Sequence, residues 1–321
     1  MSETISNNID PRLKLMSHSS DLTLHACPRL WELYRLNVTN EDAEEDSDSS
    51  MNFAFGHAVG EGIASVLQGK SFNETIFEMF LHWPLELDSE NTYTKKGFYY
   101  AVSAIQKFEA MYTANILLKD YELVWIKRKL PDGSNQWEEV PAVEVGFKII
   151  FPGGFIYRGH IDAVLRHKET GEIIVLENKT TKYKEVNPAT YKNSSQAIGY
   201  SIILDLIFGE YSSYKVLYLV YKSTQFEFEQ FPFSKTRVQR AQWIQEKLLD
   251  IEMVELYAAN NYFPMRGESC LRFGRECKYL NLCHLSTEHL VKKHGSEERE
   301  DDREYMYVID IKDLISNQLG G

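Results

Sequence analysis

Apolar positions along the chain first follow a helical spacing. Leu24, Cys27, Leu30, Trp31, Tyr34 and Leu36 recur at roughly three to four residues, which predicts a helix over 24–37. Further helices are predicted over 52–68, 72–82 and 93–118, so the first third reads as mainly helical. The texture changes at Tyr121. YELVWIKRKL and EEVPAVEVGFKIIF read as strands, PGG at 152–154 as a tight turn, and FIYRGHIDAVLRH as the next strand. KETGE at 168–172 is a second turn leading into IIVLENKT, which completes an antiparallel meander of three or four strands. A helix over 188–207 opens at Pro188 after Asn187. YKVLYLVYK and QFEFEQFPF return as strands, and a long helix follows over 235–260. With no internal repeat and no Pro/Gly-rich linker, the expectation is a single mixed α/β domain.

Composition supports a well-filled core: 43% of the 321 residues are hydrophobic, among them 19 Tyr and 17 Phe. No run approaches the ~20 apolar residues a membrane helix requires. The first twenty residues read as a loose arm without the basic start and apolar stretch of a secretory signal. The chain is therefore expected to be cytoplasmic, where stable disulfides are disfavoured and cysteines turn to metal binding or plain burial. The net charge of −12 comes mostly from two runs, EDAEEDSD (41–48) and SEEREDDRE (296–304). Both read as solvated segments, so net charge does not exclude a nucleic-acid partner for any individual groove.

Candidate chemistry lies in the meander. Asp162 follows Ile161 on one strand, and Glu177 and Lys179 follow IIVL on the next. Residues two apart on a strand share a face, so Glu177 and Lys179 project together. Carboxylates at a buried sheet end are costly unless they hold a divalent cation, which takes hard oxygen ligands. A surface ion pair is the plainer alternative. Gln196 and Tyr200, four apart, share a face of the following helix, either as a functional pair or as an ordinary amphipathic face. The approach NKTTKYKEVNPATYK carries four lysines, including Lys192, against one glutamate, a local charge suited to a phosphate backbone.

Asp162, Glu177-x-Lys179 and Gln196-x-x-x-Tyr200 together resemble the core motifs of PD-(D/E)xK nucleases. The resemblance is greatest to the RecB-like group that includes CRISPR-adaptation nucleases and phage exonucleases, and it runs from about Leu24 to Cys283. It implies a restriction-endonuclease-like core with a mixed central sheet flanked by helices. It also implies Mg²⁺ or Mn²⁺ held by Asp162, Glu177 and the Asn178 carbonyl, with Lys179 acting on the attacking water and Gln196, Tyr200 and Lys192 on the DNA. The chain departs from the group in one place. A G-x-x-x-H metal ligand on an N-terminal helix is replaced by Gly56-x-x-x-Gly60. His57 and Glu144 are further candidate metal ligands, and Glu61 lies near His57 in sequence.

Three of the four cysteines, Cys270, Cys277 and Cys283, lie close together, and Cys27 stands roughly 240 residues earlier, before Pro28 and Arg29. Iron–sulfur cluster, zinc and plain burial are all open from spacing alone. The resemblance implies a [4Fe–4S] cluster joining both ends of the fold. The expected plan is an arm (1–20), a helical region (21–119), a nuclease core (120–262), a cysteine module (263–285) and an acidic tail (286–321). The expected function is a DNA exonuclease acting on single strands or duplex ends in recombination, repair or phage DNA metabolism, in a bacterial or phage-infected cell. With no G-x-x-x-x-G-K-[ST] loop in the chain, unwinding would come from a helicase or recombination partner. The alternatives are a non-catalytic DNA-binding subunit and an endonuclease.

Overall fold

The structure, a computed structural model, describes residues 9–40, 47–87, 95–129, 136–209, 213–272, 275–295 and 305–312. In chain order they form strand β1 (Leu15–Met16) and helices α1 (His18–Ala26), α2 (Pro28–Arg35), α3 (Ser47–Leu67), α4 (Phe72–Leu81) and α5 (Phe98–Thr113). Strands β2 (Tyr121–Leu123), β3 (Trp125–Lys129), β4 (Trp137–Pro141), β5 (Val143–Ile150), β6 (Ile156–His167) and β7 (Ile173–Thr181) follow. Helix α6 (Ser195–Phe208), strands β8 (Ser213–Lys222) and β9 (Glu227–Thr236), helices α7 (Arg237–Ala259) and α8 (Thr287–His294) and strand β10 (Tyr307–Asp310) come last. No described helix is long and apolar enough to cross a membrane. The chain is mixed α/β, with a mixed sheet flanked by helices.

Contacts divide it into two compact units: Met1–Glu45, Gly146–Gly159 and Gln242–Gly321 in one, Asp46–Val145 and His160–Ala241 in the other. In the second unit, β6 and β7 pair antiparallel through Ala163↔Leu176 to Arg166↔Ile173. Strands β7 and β8 pair parallel, and β8 and β9 antiparallel. The parallel pair needs a crossover, and α6 supplies it, which sets the start of the helix beside the end of β7. On the opposite sheet face, Ala163, Leu165, Ile174, Leu176, Leu217 and Leu219 pack with Phe55, Val59, Ile63, Ile105 and Phe108 of α3 and α5 in one apolar core.

In the first unit, α1 begins in a capping box between Ser17 and Ser20. Trp31 of α2 packs on Phe263 at 5.9 Å, and Trp243 of α7 meets Tyr157 edge-on at 5.0 Å. Lys247, 1% exposed at its side chain, donates to Asp21 and Asp250 at 2.7 Å each, and Asp250 also bonds His25 at 2.6 Å. This network ties α1 to α7.

Several sequence expectations change. The helix expected over 24–37 is two helices, because Pro28 lacks an N–H and drives the preceding Cys27 to an extended φ of −159°. The two long strands expected after Tyr121 each divide, at Val124 and Ala142. These residues bond one another and Val164 of β6, so β3 and β4 leave the sheet as a separate hairpin. The helix expected from Pro188 is interrupted at Asn193; the Lys192 carbonyl accepts from Lys235 Nζ at 2.5 Å. Residues 9–20 are no loose arm: Ile9, Leu13 and Met16 are buried, and β1 pairs with Ile156–Tyr157. The expected tail contains α8 and also β10, which pairs parallel with Phe147–Ile150 of β5 and buries Ile309 and Ile311. Residues 1–8, the acidic run as far as residue 46, residues 93–94 and the run 296–304 lie outside the described residues.

Candidate active site

Strand β7 changes character along its length. Ile173–Leu176 are buried, Glu177 keeps only 1% exposure, and Asn178–Thr181 are partly exposed. Its main-chain ladder with β6 runs as far as Ala163↔Leu176. At the next position, Asp162 Oδ2 accepts the Asn178 N–H at 2.7 Å. A carboxylate thus satisfies a backbone donor where the two strands stop bonding. Leu176 and Ala163 belong to the apolar core, so alternation places Glu177, Lys179 and Asp162 on the other face, the one α6 covers.

Lys179 Nζ donates to Glu177 Oε1 at 2.6 Å and to Gln196 Oε1 at 3.0 Å. Gln196 Nε2 in turn donates to the Tyr200 hydroxyl at 2.7 Å. The chain Glu177–Lys179–Gln196–Tyr200 is continuous because α6 starts beside the end of β7. The other Glu177 oxygen, Oε2, is buried with no hydrogen-bond partner.

Negative charge outweighs positive here. Burial, then the carboxylates of Glu177 and Glu144, push the Asp162 carboxyl well above the usual range, against Lys179 and the Asn178 N–H. Partial burial, then Glu61 and Glu177, also push the Glu144 carboxyl upward. Glu144 reaches solvent, which screens that rise. Burial alone would lower the Lys179 ammonium, but Glu177 and Asp162 more than offset it and raise it. Glu144 also has a left-handed backbone, φ +46°, a conformation that strains a residue carrying a Cβ.

Not every expected residue joins this group. The exposed His57 ring lies against Phe53 and His82, at 6.2 and 5.8 Å. Glu61, one turn further along α3, is the residue of that helix whose charge reaches Glu144; the i, i+4 spacing from His57 was its only sequence signal. Lys192 is exposed on the turn Ala189–Lys192. The Tyr191 ring stacks on Tyr218 at 4.6 Å.

The residues fit a hard divalent cation. The orphaned Glu177 oxygen and the excess of carboxylates are what such an ion would satisfy. Among the described residues no three His, Cys, Asp or Glu side chains converge on one ion position. The protein's share would then be Asp162 and Glu177 with main-chain oxygen. That suffices for Mg²⁺, which keeps several waters and takes one or two carboxylates together with substrate phosphates.

In the first unit all four cysteines are free thiols lining one cavity of about 290 Å³, with Leu30, Met265 and Leu280. Cys27 sits between α1 and α2, and the Cys277 N–H bonds the Cys270 carbonyl at 2.8 Å. Arg29 ties α2 to the segment of the fourth cysteine by donating to the carbonyls of Cys283 and Leu285. Burial raises the Cys277 and Cys283 thiols, and the neighbouring thiols add to that. A tetrahedral zinc would hold its sulfurs roughly 3.8 Å apart. Among the described residues the cysteines do not close on a single ion.

Comparison with curated proteins gives no match. A solved structure described as "Crystal structure of SSO0001" aligns at 13% identity over 73% of this chain and 86% of its own. Its TM-score of 0.25 is too low to carry an argument. The profile of the PD-(D/E)XK nuclease superfamily, by contrast, matches residues 15–284. The chain belongs to the PD-(D/E)XK nuclease superfamily.

Proposed function

We propose that this chain is a metal-dependent DNA exonuclease of the RecB-like type, serving recombination, repair or phage DNA metabolism. Membership of the superfamily implies phosphodiester hydrolysis of nucleic acid; the finer reading rests on the site. The observation that carries it is the shared Lys179 ammonium, bonded to Glu177 and Gln196 beside a buried Glu177 oxygen that has no partner.

A bound Mg²⁺ or Mn²⁺ would activate water and neutralise charge developing on the phosphate. Asp162 and Glu177 would hold that ion, with the Asn178 carbonyl. Lys179, held by Glu177 and Gln196, would orient the attacking water and stabilise phosphoryl charge. Gln196 fixes the ammonium's direction, and Tyr200 fixes Gln196. The group's usual histidine is absent, and a Cβ placed at Gly60 meets nothing within 4 Å; water or Glu61 would complete the coordination in its place.

The cysteine cavity is read as the seat of a [4Fe–4S] cluster. Cys27, Cys270, Cys277 and Cys283 supply four soft ligands, and the group's role would be to join α2 to the C-terminal segment. Anaerobically purified protein is expected to be brown, and Cys27→Ser to lose the visible absorbance. A colourless protein carrying zinc would refute this part.

The test of activity is digestion of linear and of closed circular DNA with Mn²⁺. Cleavage of linear DNA that Asp162→Asn and Lys179→Ala each abolish is the expected result. Cutting of closed circles would make the chain an endonuclease. A wild-type protein that binds DNA without cutting it would favour the non-catalytic subunit.

A further inference from the structure

We infer that the β3–β4 hairpin is a stacking platform along which a single-stranded polynucleotide runs beside the Asp162–Glu177 site. The inference rests on the nuclease reading above. Of the five tryptophans, Trp31, Trp83 and Trp243 are buried at 0%, 6% and 1% exposure, whereas Trp125 and Trp137 keep 60% and 58%. The exposed two share one face. Trp125 pairs across from Pro141, Lys127 from Glu139, and Trp137 from Lys129. Residues directly opposite in an antiparallel pair, and those two apart on a strand, point the same way. The reverse face is the inward one, where Ile126 is 3% exposed.

The two indoles are separated along the strands by four residues, about 13 Å. Between them stand the exposed Lys127 and Glu139, so the apolar surface is interrupted. A protein partner would call for a contiguous apolar patch. Isolated indoles suit bases that stack one at a time along a flexible strand.

The hairpin's root lies at the site. The Val124 N–H bonds the Val164 carbonyl at 3.0 Å, and the Val164 N–H bonds the Ala142 carbonyl at 2.9 Å. Val164 is two residues from Asp162 on the same face of β6, about 7 Å. Trp125 follows Val124 directly, and Glu144 comes two residues after Ala142. The root of the hairpin is therefore bonded to β6 two residues from Asp162.

The experiment measures binding without cleavage, in chelator, in the Asp162→Asn background. The probes are a twenty-residue oligo(dT) and a twenty-residue oligo(U), followed by anisotropy and by quenching of tryptophan fluorescence. Trp125→Ala/Trp137→Ala should weaken both probes by roughly tenfold or more. The salt slope should stay unchanged, because stacking releases no counterions. Trp125→Phe/Trp137→Phe should restore most of the affinity, with melting temperatures alike throughout. Equal affinity of the alanine variant and its parent, or binding confined to duplex and indifferent to both tryptophans, would overturn the platform. The nuclease reading fails separately, by lack of metal-dependent cleavage in the wild type.

Discussion

Replacing Lys247 by Met tests the buried charge network that seats α1, and with it Cys27. The ammonium holds Asp21 and Asp250 at 2.7 Å each, and the two carboxyl side chains are 7% and 6% exposed. Methionine keeps the volume, so cavity formation adds little. What remains is two buried carboxylates, of which only Asp250 keeps a bond to His25. Removing one member of a buried pair costs about 3–5 kcal/mol. With a denaturant slope near ~3 kcal/mol/M, the urea midpoint should fall by roughly 1–2 M at pH 7.5. Burial has already pushed the Asp21 carboxyl up to about 6, with Lys247 pulling the other way, and without the lysine it rises further. An acid whose folded pKa is raised binds more protons when native, so its contribution falls as pH rises. The variant should therefore recover up to about 2 kcal/mol between pH 7.5 and 6, at ~1.4 kcal/mol per pH unit. Adding Asp21→Asn should recover part of the loss at pH 7.5. Urea melts at the two pH values read all of this. A loss under ~1 kcal/mol, or one equal at both pH values, would refute the reasoning.

Neighbouring glycines of α3 should respond in opposite senses. Gly60→Ala, with open space around its Cβ, should stabilise by up to ~1 kcal/mol. Gly62→Ala would place its Cβ 2.4 Å from Ile105 Cγ1 and 2.9 Å from Met79 Sδ, at a cost of about 1–3 kcal/mol; denaturant melts that move both the same way would count against the packing. Gln196→Ala removes a bond to the Lys179 ammonium and should lower kcat/KM roughly tenfold to a hundredfold with little change in melting temperature. Because Asp162 and Glu144 hold protons more tightly than ordinary acids, Mn²⁺ binding should release protons and weaken as pH falls from 8 to 6. Calorimetry in buffers of different ionisation enthalpy tests this, and pH-independent affinity would contradict it.

The order of elements was legible in the sequence, because each turn carried its own residues and each strand its own alternation. Local pattern also marked the passage in β7 from IIVL to ENKT, where the sheet meets its charged end. The spacing of Glu177 and Lys179 and of Gln196 and Tyr200 fixed which side chains share a face. Pairing between distant segments was not legible there. Val124 and Ala142 look like any strand residues, and only their shared bonds to Val164 turn the flanking stretches into a hairpin with two exposed tryptophans. His57 and Glu61 differ by one helical turn, so the orientation of α3, set by packing of Ile63 and Phe55 against β-strand residues such as Leu176, decides which one approaches Glu144. Likewise YVID after the acidic run carries too few residues to declare its partner, and a strand becomes one only when another edge, here β5, supplies its hydrogen bonds. Local chemistry wrote the elements and the candidate residues; which of them meet depended on long-range contacts that no short window contains.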